Sequence, residues 1–156
     1  MNPDRLWRRF VVLALLCAVL PGFGLAALMT GMLAVGQPVG LWYPAAIQAH
    51  ATALLMGWGG GMILGVALHF LPRLRGVKLT HPKWVPVLFW LFAGGLALRV
   101  VGQPLLTFFD PIKPSTAALG WRDAVVGGVL MQALATGGLL TVLIAGHLWL
   151  PAGRPS

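Results

Sequence analysis

Four long apolar runs separated by short polar breaks organise this chain. The first runs from Phe10 to Val35 and ends at Gly36-Gln37-Pro38. The second runs from Pro44 to Phe70 and stops at Pro72 and its basic neighbours. The third runs from Trp84 to Gly102, broken only by Arg99, and the fourth from Ala124 to Leu150, before Pro151. Each reaches the roughly 18 residues that carry an α-helix across about 30 Å of hydrocarbon at 1.5 Å per residue. The pattern predicts an all-α membrane protein: one domain over residues 1–156, a four-transmembrane-helix bundle with spans at 10–35, 44–70, 84–102 and 124–150. The run after MNPDRLWRR is too long for the apolar region of a secretory signal, so it reads as an uncleaved anchor.

Composition agrees with this picture. Only 9% of residues are charged and 58% are hydrophobic, far from the quarter or so of charged residues usual in soluble domains. A formal charge of +8 would suggest nucleic acid in a soluble chain, but its position argues for topology instead. Arg5, Arg8 and Arg9 precede the first run; Arg73, Arg75, Lys78 and Lys83 follow the second; Arg154 lies near the end. The segment between the first two runs has no Lys or Arg, and in the segment from Gln103 to Asp123, Lys113 and Arg122 balance Asp110 and Asp123. Positive residues stay on the cytoplasmic side, which gives N-in and C-in, a lipid bilayer rather than nucleic acid as partner, and a bacterial inner membrane as the expected location. Trp7, Trp84 and Trp149 then fall at the inner boundary, and Trp42, Tyr43 and Trp121 at the outer one, where amphipathic rings prefer to sit.

Candidate chemistry is confined to a few polar side chains inside apolar runs, where each is costly and therefore informative. Cys17 is the only cysteine, which removes disulfides and multi-thiolate metal sites. His50 and Arg99 lie near the outer ends of the second and third runs, at a common level roughly 5 to 8 Å below the boundary. Gly57 and Gly61 fall within about 20° of His50 around the helix, a stripe with an imidazole above small residues. Such a stripe suits protohaem (haem b): imidazole ligates iron, glycines admit the macrocycle or a close helix, and Arg99 or Arg122 pairs with propionates. Met29, Met32, Gln132 or His50 of a second copy remain open as the second axial ligand. His69, His147 and His81 gather on the inner side as a less favoured metal site, because basic surroundings oppose a further cation.

The segment from Gln48 to Gly65, QAHATALLMGWGGGMILG, followed by His69-Phe70-Leu71-Pro72-Arg73-Leu74, resembles the second transmembrane helix of haem-copper oxidase subunit I and of the nitric-oxide-linked, NnrS-like haem membrane proteins. The resemblance covers only Pro44 to Gly76, and it maps the family's low-spin haem ligand to His50. The family needs about a dozen spans and further histidines for its second haem and copper. The resemblance therefore implies a truncated relative that keeps one haem-binding helix, or one that keeps the scaffold without haem.

Two functions follow as expectations: a small b-type haem protein for electron transfer or NO/O2 sensing, working as a homo-oligomer or within a larger complex, or a cofactor-free accessory subunit of a respiratory or photosynthetic complex. Catalysis by the chain on its own is not expected. A proton-coupled transporter ranks last, because every Asp lies outside the apolar runs.

Overall fold

The computed structural model describes residues 5–38, 40, 42–76, 79, 81–109 and 116–148. Lys78, Asp110, Lys113, Trp149 and Arg154 lie outside the described residues, as do the side chains of Arg75 and His147. Described elements are all helical. The first span joins α1 (Leu6–Cys17), a π-helical segment (Ala18–Phe23) and α2 (Gly24–Ala34). The second joins α3 (Trp42–Thr52), a second π-helical segment (Ala53–Gly60) and α4 (Gly61–Arg75). A 3-10 turn at Pro82–Trp84 leads into α5 (Val85–Phe109), the third span, and α6 (Thr116–Leu148) is the fourth. All four are long and apolar enough to cross a membrane. The chain is a multi-pass, all-α membrane protein.

Glycine ends the first two spans where a left-handed residue is needed. Gly36 (φ 74°) follows the first, with Gly36 N–H donating to Leu33 O and Gln37 N–H to Met32 O, the paired bonds of a Schellman cap. Gly76 (φ 64°) closes the second, its N–H reaching Arg73 O. Prolines, by contrast, do not stop these helices. Pro21 lies within the first π-helical segment, Pro72 within α4 and Pro104 within α5. A transmembrane helix keeps its backbone bonds because lipid offers no substitute, so proline is accommodated locally rather than ending the helix. Beside Pro104, the Thr107 hydroxyl donates to the Pro104 carbonyl at 2.6 Å. The third span consequently runs beyond Gly102 to Phe109, and the fourth begins at Thr116, ahead of Ala124.

Large side chains such as Leu20, Phe23, Leu55, Ile63, Trp90 and Leu134 point outward, as expected where lipid is the solvent. The interior is filled by Phe10, Leu64, Phe89, Phe92, Leu96 and Leu139, and glycines let the spans approach closely. A Cβ on Gly22 would meet Leu54 at 2.7 Å, one on Gly57 would meet Cys17 at 2.8 Å, and one on Gly61 would meet Ala14 at 3.3 Å. One on Gly65 would stand 3.1 Å from Phe10. These partners descend along the first span as the glycines ascend along the second, so the two run antiparallel. Spans three and four touch backbone to backbone: a Cβ on Gly95 would lie 2.6 Å from Gly128 O, and one on Gly128 would lie 2.8 Å from Gly95 O. Phe10 joins the two pairs, packing edge-on against Phe89 at 5.0 Å and tilted against Phe92 at 6.1 Å.

Candidate functional site

Two polar features lie inside the bundle, on opposite faces of the second span. His50, near the outer end of α3, turns toward the first span, and its Nδ1 stands 2.8 Å from the Gly22 carbonyl oxygen. A carbonyl only accepts, so Nδ1 carries the proton and, in the neutral ring, Nε2 holds the free lone pair. Nε2 has no hydrogen-bond partner among the described residues, and the side chain is half-buried. A ring whose one N–H is held by a carbonyl while the other nitrogen stays free is oriented in the way metal-ligating histidines are.

Thr52 is two residues further on, about 200° around the helix, and faces the third and fourth spans. There Arg99 Nη1 donates to Gln132 Oε1 at 2.6 Å, and Nη2 donates to Thr52 Oγ1 at 3.4 Å. Gln132 and Thr52 are only 2% and 6% exposed. Because α5 continues ten residues beyond Arg99 to Phe109, the guanidinium lies roughly 15 Å from the outer end of its helix, deeper than the apolar run suggests. No Asp or Glu pairs with it among the described residues, so its charge is met by neutral dipoles alone.

His50 and Arg99 thus share a level but not a face. Gly57 and Gly61 lie against the first span, where Cys17 and Ala14 fill the space above them. Met29 is buried and Met32 half-buried, about two and three turns beyond Gly22 toward the outer end. Gln132 is taken up by Arg99. Arg122 is exposed near the outer start of α6. On the inner side, the His69 ring packs against Trp7 at 4.3 Å and bonds to the Arg73 guanidinium, while His81 is exposed in the connecting turn. Among the described residues, no three of His, Cys, Asp and Glu come together as a metal-binding group.

Sequence reasoning missed Thr52 as a partner of Arg99, and Gln103 and Thr136 as further polar side chains with buried atoms. Their spacing carried a signal. Gln103 is one turn from Arg99, and Thr136 one turn from Gln132, so each pair occupies a single helix face. Buried and without partners in the described structure are Arg99 Nε, Gln103 Oε1, Gln132 Nε2 and Thr136 Oγ1. Compared with protein-family models, curated proteins and solved structures, the chain matches none.

Proposed function

We propose that the chain is a small haem b protein of a bacterial inner membrane, serving electron transfer or NO/O2 sensing, with His50 as an iron ligand. The observation that carries this reading is the imidazole itself, held through Nδ1–H by the Gly22 carbonyl with Nε2 free. The stripe beneath it does not fit a macrocycle, because Cys17 and Ala14 occupy the space over Gly57 and Gly61. A haem ligated by His50 would therefore have to lie off that stripe, between this chain and a neighbour. His50 of a second copy is the second ligand that this position favours over Met29, Met32 or Gln132. Arg99 is committed to Gln132 and Thr52, which leaves exposed Arg122 as the free candidate for a propionate. Protohaem held there would supply a one-electron iron couple and, once one axial ligand is displaced, a gas-binding position; the chain's own residues would hold and orient it.

The test is an oxidised and dithionite-reduced visible spectrum with a pyridine haemochrome assay on the chain purified in mild detergent. A Soret band in the wild type that vanishes in His50→Ala is the expected outcome. A colourless wild type from haem-replete cells would overturn the reading.

The same tight packing favours a second reading. Gly57, Gly61, Gly65, Gly95 and Gly128 bring neighbouring spans close together, as in a cofactor-free subunit whose outer faces bind a larger respiratory or photosynthetic complex. That reading expects a colourless protein recovered with its partner complex.

A further inference from the structure

The polar cluster between the second, third and fourth spans has a charge that its own side chains do not neutralise. Arg99 stays protonated at any accessible pH, and a cation held in hydrocarbon with only neutral dipoles around it is costly. Two of the donors there are orphaned. Among the described residues, Arg99 Nε is buried without an acceptor, and so is Gln132 Nε2. Their orientation follows from donor chemistry: a guanidinium has no acceptor, so the Gln132 carboxamide must turn its oxygen to Nη1, which leaves its NH2 group unpaired. The Nε edge of the guanidinium, the edge that takes carboxylates side-on, is likewise open apart from the long contact of Nη2 to Thr52.

From these orphaned donors beside an uncompensated cation, we infer that Arg99, Gln132 and Thr52 form an intramembrane binding site for a small monovalent oxyanion of the size and shape of formate. An anion meets both deficits, supplying acceptors for the free N–H groups and the missing negative charge. Water would meet only the first. Gln132 and Thr52 are 2% and 6% exposed, so an occupant small enough to be enclosed with them fits better than a side chain from another protein. The site is independent of His50, which faces the first span.

The experiment follows thermal unfolding of the purified full chain by tryptophan fluorescence in neutral detergent, titrating sodium formate at constant ionic strength against sodium methanesulfonate. Stabilisation that grows with the logarithm of formate concentration is expected for the wild type. Gln132→Leu weakens apparent affinity on the order of tenfold or more, the effect of losing a hydrogen bond to a charged ligand. Arg99→Met removes the formate dependence and, having no charge to compensate, does not depend on a partner to fold. His50→Ala retains the full dependence. A wild-type transition that does not move with formate would overturn the inference, as would an equal response in Arg99→Met or a response lost in His50→Ala.

Discussion

His50 and Arg99 sit at similar depth, yet they are treated in opposite ways by the bundle. His50 has one backbone partner and keeps a ring nitrogen open. Arg99 is enclosed by three spans and makes two side-chain bonds, with donors still left over. The difference arises from rotation rather than depth. Two residues of α3 separate His50 from Thr52, enough to send one to the first span and the other to the third. A membrane helix thus divides its polar residues between a face open to a neighbour and a face closed on the chain itself, and only the second has to satisfy a charge internally.

Substitutions at the seam that closes over Arg99 should have the largest effect. Gly95→Leu drives a side chain into the Gly128 carbonyl, which a Cβ alone would approach to 2.6 Å. Even Gly95→Ala is expected to cost about 1–3 kcal/mol through overpacking, and Gly95→Leu should abolish recovery of folded, monodisperse protein in size-exclusion chromatography. If Gly95→Leu is recovered with wild-type stability, the backbone contact between the third and fourth spans is wrong.

Next in size is the effect of removing one partner of the cation. Gln132→Leu takes a charge-assisted hydrogen bond from Arg99, worth about 1.5–3 kcal/mol. Arg99→Met, which removes the charge along with its bonds, should cost less than Gln132→Leu, since replacing a buried charge with an apolar isostere is often close to neutral. Reversible unfolding in mixed detergent micelles measures both. A larger cost for Arg99→Met would mean that the guanidinium is well compensated.

A smaller effect separates the two faces functionally. His50→Ala loses one hydrogen bond to a carbonyl, about 0.5–1.5 kcal/mol, and with it any bound haem, whereas Arg99→Met should leave the haem spectrum unchanged. Loss of the Soret band in both variants would join what the structure keeps apart. At the bottom of the scale, Gly127→Ala places its methyl where no atom lies within 4 Å; with only glycine's backbone freedom removed, stability should be unchanged or raised by up to about 1 kcal/mol. Any larger effect would reveal a contact on that outer face that the isolated chain does not make.

Much of the fold was legible because the constraint is local. Hydropathy and length locate four spans, and Gly36 marks the end of the first through its left-handed conformation. The boundaries around Pro104 and Arg122–Asp123 were less legible. A proline disfavours helix and a charged pair ends an apolar run, but α5 continues through Pro104 and α6 begins ahead of Arg122–Asp123. Hydropathy singled out His50, Arg99 and Gln132 as polar side chains inside the spans, but it set Arg99 shallower than α5 places it and gave no sign that His50 and Arg99 face different spans. The path of Arg99 to Gln132 and Thr52, and the filling of the Gly57 and Gly61 stripe by Cys17 and Ala14, could not be read from spacing.

By itself, then, the sequence determines that this chain is a four-helix membrane protein and which few side chains must answer for being polar inside it, because burying polarity in lipid is costly wherever the helices sit. Only the tertiary structure decides which of those side chains meet. Helix rotation and glycine contacts place His50 against the Gly22 carbonyl and Arg99 between Gln132 and Thr52, and both depend on how neighbouring spans pack, which no single helix encodes.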